Sequence, residues 1–187
     1  FNLAVADKLA SQEICFVPDN DYRAFLKNAL ACPASPAGGR QAGIAADIKA
    51  GPILDKKGNI LGQHKGIAFY TIGQREGLGI AKGYPLYISR INAEDNSITV
   101  GKRNDVLSRE FKVLDPHFIL KPLKKKVVLR VRIRYNHPEA FAEVMPLDNK
   151  LKVRFKRTQF AITPGQSAVF YEKDKVLGGG IIEEVLD

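Results

Sequence analysis

Long apolar runs are missing from this sequence. No stretch of 18 apolar residues occurs, so there is no candidate for a membrane-spanning helix. The first residues, Phe1 to Asp7, lack the basic start and long apolar core of a secretion signal. An initiating methionine is also absent, and the sequence reads as a piece of a longer protein. Only two cysteines are present, Cys15 and Cys32. They are too few for a disulfide scaffold or an all-cysteine zinc site, and three scattered histidines add no metal-ligand spacing. A reducing, cytoplasmic setting follows as the expectation. Acidic residues are scarce relative to basic ones, 20 against 29, for a net charge of +9. The excess is uneven: 14 basic and 11 acidic residues lie up to position 110, and 15 and 9 beyond it. A basic excess gathered in one region points to a polyanionic partner, nucleic acid first. A soluble basic surface without a partner is the competing reading.

The 187 residues that remain suffice for one large or two small cores. Near the N-terminus, Asp19-Asn20-Asp21 supplies N-cap candidates for a short helix in which Tyr22, Phe25, Leu26 and Leu30 recur at helical spacing. Pro33, Pro36 and Gly38-Gly39 end it, and Gln41 to Lys49 has weak helical character. From Gly51 the period changes to two. Asp55 to Asn59 joins one hairpin (Pro52–Leu54 with Ile60–Gly62). Asn92 to Asn96 joins another (Leu86–Ile91 with Ser97–Val100). Gly73 to Ile80, glycine-rich, is expected to be irregular. It has neither the Gly-Lys-Ser/Thr of a phosphate loop nor the strand–helix context of a dinucleotide fingerprint, which favours a structural turn.

The last third alternates most clearly. Val127, Leu129, Val131, Ile133 and Tyr135 interleave with Lys126, Arg130, Arg132 and Arg134. Leu151, Val153 and Phe155 interleave with Lys150, Lys152, Arg154 and Lys156. Each strand has one apolar and one mostly basic face. With further strands at Phe141–Met145, Ser167–Tyr171 and Val176–Glu184, about five short antiparallel strands predict a small closed barrel. Side chains at i and i+2 lie roughly 6.6 Å apart on a strand face. A row such as Arg130, Arg132 and Arg134 can therefore follow a sugar–phosphate backbone, and Tyr135 can stack on an unpaired base. The alternative is a solvated face that guards against edge pairing. Cys15, between Ile14 and Phe16, is either a small buried apolar residue or a reactive thiol, which would need a lowered pKa.

In order along the chain stand Ser11-Gln12-Glu13-Ile14-Cys15-Phe16, Gly51-Pro52-Ile53, Leu61-Gly62-Gln63-His64-Lys65-Gly66 and Tyr70-Thr71-Ile72-Gly73-Gln74-Arg75-Glu76-Gly77-Leu78-Gly79. Ile133-Arg134-Tyr135, Thr163-Pro164-Gly165-Gln166-Ser167-Ala168-Val169-Phe170-Tyr171 and Leu177-Gly178-Gly179-Gly180-Ile181-Ile182 follow. Together these segments resemble the bacterial tRNA-specific 2-thiouridylases over nearly the whole chain. The resemblance implies a mainly β fold. A small central α+β or β domain would precede a C-terminal six-stranded antiparallel β-barrel like the second domain of elongation factors, with short helices near the N-terminus. It divides the chain into a remnant of an ATP-pyrophosphatase domain (1–14), a central domain with the cysteine loop (15–108) and the barrel (109–187).

The implied activity is formation of 2-thiouridine at the wobble position of tRNAs for Lys, Glu and Gln. ATP, with Mg, would activate the C2 oxygen of the uridine. The cysteine matching Cys15 would carry a persulfide received from a sulfur-relay protein. A second cysteine would close a disulfide with it at the end of the cycle. The family's Ser-Gly-Gly-x-Asp-Ser loop is absent from this sequence, so ATP binding and thiolation are not expected of this chain alone. Arg134, Tyr135 and Gln166 match tRNA-contacting positions, and Arg130, Arg132, Lys152 and Lys156 are added from the strand pattern. No membrane or DNA partner is implied. Ala10 stands where the family usually has Asp, the stretch Ala31 to Ala50 is longer than expected, and Cys32 matches no family cysteine. A barrel that docks RNA or a translation factor without chemistry is the rival from the binding class. A purely structural piece with a basic surface for solubility is the third reading.

Overall fold

The computed structural model describes Asp21, Ala24 and residues 48–186. The helices expected over Tyr22–Leu30 and Gln41–Lys49, and both cysteines, lie outside these apart from one cap. Asp21 Oδ1 accepts the Ala24 N–H at 2.9 Å, which is N-cap geometry. No helix among the described residues is long and apolar enough to cross a membrane.

The fold is mainly β. Strands β1 (Gly51–Leu54), β2 (Ile60–His64), β3 (Tyr87–Asn92) and β4 (Ser97–Gly101) form a sheet in the order β2-β1-β4-β3. Both expected hairpins are present. The sheet is completed by a short parallel pairing of β1 with β4 through Ile53–Ile98 and Leu54–Thr99. Ile53, Ile88, Ile98 and Val100 are fully buried on one face, and the long β2–β3 connection adds Leu78 and Leu86 to the same core. Burial of each such side chain contributes on the order of 1.5–3 kcal/mol. The connection is ordered by its hydrogen bonds. Gly73 N donates to Ile88 O at 2.8 Å and Ile88 N donates to Gln74 O at 3.0 Å. The Gln74 side chain accepts from Thr71 N and donates to Glu76 O. The glycine-rich segment is thus a turn laid against β3.

Strands β5 (Leu107–Phe118), β6 (Val127–Arg132), β7 (Ala140–Leu147), β8 (Lys150–Phe160), β9 (Ser167–Glu172) and β10 (Lys175–Val185) close into a six-stranded antiparallel barrel, β10-β5-β8-β7-β6-β9. Its interior is filled by Phe111, Phe155 and Phe170 with Val113, Val131, Ile133, Val144, Val153 and Ile182, all essentially inaccessible. Two details differ from the sequence reading. The strand β5 was not anticipated, and without it the barrel does not close. The first basic strand ends at Arg132 rather than Tyr135, because residues 134–137 turn, with His137 N donating to Arg134 O at 3.0 Å.

Sheet and barrel meet along a short seam. The Tyr87 and Phe160 rings pack edge to face at 5.6 Å, the Arg103 guanidinium lies 5.2 Å over the Phe160 ring, and Ala161 N donates to Val106 O at 2.9 Å. Gly73 closes the seam. It has φ of +85°, and a Cβ there would stand 2.4 Å from Ala161 Cβ. No side chain fits between the two backbones at that point. Gly73→Ala is therefore expected to destabilise by about 1–3 kcal/mol from overpacking, with a further cost of about 1–2 kcal/mol from left-handed backbone. Ala161→Gly in the Gly73→Ala background should recover the overpacking part, a coupling readable by urea unfolding of the four variants. Additivity within about 0.5 kcal/mol would contradict this close approach.

Candidate RNA interface

The alternation of β6 carries on one residue past its end and places Ile133 in the barrel core, 1% exposed. Arg134 is thereby directed to the rim, just where the chain leaves the strand. Its guanidinium is a fixed fork of donors. Nε donates to Gln166 Oε1 at 3.1 Å, and one Nη donates to Ala161 O at 3.1 Å and to Thr163 Oγ1 at 3.0 Å. The acceptors are set by the β8–β9 connection. Ala161 adopts φ of +55°, unusual for a residue with a side chain. Its carbonyl also accepts from Thr163 Oγ1 at 2.9 Å. Thr163-Pro164-Gly165-Gln166 then forms a tight turn with Gly165 at φ +86°, the left-handed third position of a type II turn after proline. This turn is pinned to β10, with Gly165 N donating to Ile182 O and Ile182 N donating to Gln166 O, both at 2.8 Å. Because Arg134 is donor-only, the Gln166 amide must turn its oxygen to the guanidinium, which leaves the NH2 group directed elsewhere.

The electrostatics of Arg134 are distinctive. Partial burial lowers its pKa from the ordinary value, although an arginine remains charged at any physiological pH. Its three acceptors are all neutral. Desolvation has been incurred, and among the described residues no carboxylate pairs with the guanidinium. Tyr135, next in sequence, is 71% exposed at the same rim.

The other basic residues singled out from the strand pattern have a different environment. Arg130 pairs with Glu139 at 3.2 Å and reaches Asp174 at 3.8 Å, and Arg132 pairs with Glu139 at 2.8 Å. Lys152 and Arg154 share Glu110 at 2.7 and 2.9 Å. Lys156 lies 5.5 Å over the exposed Phe141 ring. The outer wall therefore alternates in charge. The two carboxylates that change its character, Glu110 and Glu139, are brought in by β5 and by the β6–β7 connection. Sequence reasoning also missed Ala161 and Thr163, whose role is to hold Arg134. The signal for Thr163 was its place at the head of the turn that carries Gln166.

Cys15, the expected persulfide carrier, lies outside the described residues. Among the described residues no cluster of three or more His, Cys, Asp or Glu could hold a metal ion. The glycine-rich loop is a poor phosphate cradle, since the Gly73 and Gln74 amides are already committed to Ile88 O and Thr71 O. A cleft of about 1040 Å³ runs between sheet and barrel, with Thr71, Ser89 and Arg90 on one side and Thr163, Pro164 and Gln166 on the other.

Two family models match the chain along the same division. The tRNA methyl transferase PRC-barrel domain matches residues 44–102, and the aminomethyltransferase beta-barrel domain matches residues 108–182. Among curated proteins, the tRNA-specific 2-thiouridylase MnmA of Acetivibrio thermocellus is 46% identical over 97% of this chain and 47% of its own length. That of Caldanaerobacter subterraneus subsp. tengcongensis, MnmA 1, is 48% identical over 97% of the chain and 47% of its own length. MnmA 1 of Clostridium botulinum is 44% identical over 98% and 49%. The chain spans about half the length of the curated relatives it matches. With a closed barrel, the expected hairpins and identity of this order from end to end, the chain is similar over nearly its whole length to about half of each of these tRNA-specific 2-thiouridylases.

Proposed function

We propose that this chain is the tRNA-binding and sulfur-carrying part of a tRNA-uridine 2-sulfurtransferase, with the barrel rim at Arg134, Tyr135 and Gln166 as its RNA contact. The observation that carries the RNA contact is the charge state of the rim: Arg134 is partly desolvated and bonded only to neutral acceptors. A phosphate brought to such a guanidinium gains a charge-assisted bond without first breaking an internal ion pair. By the same logic Arg130, Arg132 and Lys152 are secondary contacts, because each already has a carboxylate partner. Lys156, with no carboxylate partner among the described residues, ranks above them. Tyr135 supplies an exposed ring for an unpaired base, and the Gln166 NH2 group a neutral donor.

In this reading the family's reaction, 2-thiouridine formation in tRNAs for Lys, Glu and Gln, takes place in the cytoplasm with a sulfur-relay protein as donor. Cys15 carries the sulfur as a persulfide, a thiolate function that divides one transfer into two displacements. ATP and Mg belong to the same reading. No residue of this chain is assigned to them, in keeping with the missing phosphate-loop motif and the committed amides of the glycine-rich loop.

Two outcomes test the proposal in the intact enzyme. Arg134→Ala should weaken binding of all tRNAs alike and lower the salt slope of log K by roughly 0.7 to 1. Gln166→Ala should cost affinity with little change in slope. Unchanged affinity and slope for Arg134→Ala would make the rim a solvated surface. Separately, Cys15→Ser should abolish thiouridine formation and leave tRNA binding intact. Thiolation retained in that variant would favour the rival reading of a binding module without chemistry.

A further inference from the structure

The cleft between sheet and barrel holds four charged side chains: Arg90, Asp105, Glu183 and Glu184. Taken alone, three acids would repel a nucleic acid. Each, however, is already paired. Asp105 accepts from Lys56 Nζ at 2.8 Å, and that bond is the main cause of its lowered pKa. Glu183 accepts from Lys150 at 2.5 Å, and Glu184 from Lys112 at 2.5 Å. Each acid with its lysine is a contact pair that carries no net charge as a unit. Among the described residues Arg90 has no ion-pair partner; it is exposed and is left there as the uncompensated charge of the cleft.

Its placement is also built. The pairing of β3 with β4 shifts register between Ile88 and Arg90, so Ser89 is the extra residue of a bulge. The Ser89 hydroxyl is anchored by donation to Thr99 O at 3.2 Å. A bulge of this kind re-aims the next side chain relative to a regular strand. Here the re-aimed residue is Arg90, on the sheet wall of the cleft whose barrel wall carries Thr163 and Gln166. These two, with Ala161 O, hold Arg134.

We infer that Arg90 is a second phosphate contact, so that the bound tRNA backbone enters the cleft and is held from both walls: by Arg90 from the sheet and by Arg134 with Gln166 from the barrel rim. This rests on the RNA-binding reading above. It adds that the small sheet is part of the recognition surface. The volume, about 1040 Å³, is at the upper end for a small-molecule pocket and suits a segment of chain. The neutral polar lining of Thr71, Ser89 and Gln166 suits sugar and phosphate oxygens.

The test is binding of an unmodified tRNA transcript to the intact enzyme over a range of salt, with Arg90→Ala, Arg90→Lys, Arg134→Ala and a control, Lys173→Ala, on the β9–β10 turn outside the cleft. Arg90→Ala is expected to weaken binding several-fold at moderate salt and to lower the salt slope by roughly 0.7 to 1. Arg90→Lys should keep the slope and lose less affinity, Lys173→Ala should change neither, and the unfolding midpoint of Arg90→Ala should match the parent. Loss of binding by Arg134→Ala with no change for Arg90→Ala would overturn the inference and leave the rim reading standing. No change in either would overturn both. A change for Arg90→Ala alone would support the cleft and remove Arg134. Reduced turnover for Arg90→Ala with unchanged tRNA binding would assign the cleft to a protein partner and overturn the inference as well.

Discussion

The Arg134 guanidinium joins two barrel connections that the chain itself keeps 27 to 32 residues apart. One leaves β6, the other links β8 to β9. Without the fork of donors, the left-handed Ala161, the buried Thr163 hydroxyl and the turn that carries Gln166 would have no common anchor. The same three bonds position the amide of Gln166 and hold a cation at the rim. In the proposed reading, structural and recognition roles are combined in one side chain. Its acceptors are neutral, so the charge that organises the rim remains available to a ligand.

The surrounding fold makes that arrangement rigid. Ile133 and Ile162, on either side of the rim, are both buried in the barrel core. The turn Thr163–Gln166 is bonded to β10, and Ala161 is bonded to Val106 at the entrance to β5. Through Gly73, Tyr87 and Arg103 the sheet is packed against the end of β8 that supplies Ala161. The glycine-rich motif acts in this way as a packing element. Its glycine permits the backbone contact that fixes the sheet beside the rim. The outer wall of the barrel has a different character. Its arginines and lysines are mostly satisfied by Glu110, Glu139 and Asp174.

Much of this architecture was legible in the sequence. Strand β8 alternates strictly over Leu151, Val153 and Phe155, β6 does so apart from Val128, β9 is a short apolar run, and both hairpins of the sheet have turn-forming loops. Strand β5 was not legible. Its alternation is short, with Phe111 and Val113 interleaved with Glu110 and Lys112, and Asp115 and Pro116 then interrupt it and argue against a central strand. Tertiary pairing with β8 and β10 overrides both signals. Arg134 and Gln166 were each nominated by resemblance, and Arg134 also by its strand row. Their contact depends on how the barrel closes, and periodicity carries no information about that. The neutralisation of the basic wall was missed for the same reason, since Glu110 lies on the unread strand. Arg90 carried no signal because a single exposed arginine in a hairpin strand is ordinary. Its meaning comes from a bulge and from acids whose partners lie far along the chain. The cysteine that the family reading places at the chemistry lies outside the described residues.

The central claim is that Arg134 and Gln166 act on RNA as one unit. A double-mutant cycle on tRNA affinity tests it most directly, using the intact enzyme with Arg134→Ala, Gln166→Ala and both together at one fixed salt concentration. If the guanidinium positions the amide and the amide positions the guanidinium, the double variant should lose less than the sum of the single losses, with an interaction of about 0.5–3 kcal/mol. Losses that add within about 0.5 kcal/mol would show two independent contacts and contradict the shared rim described above.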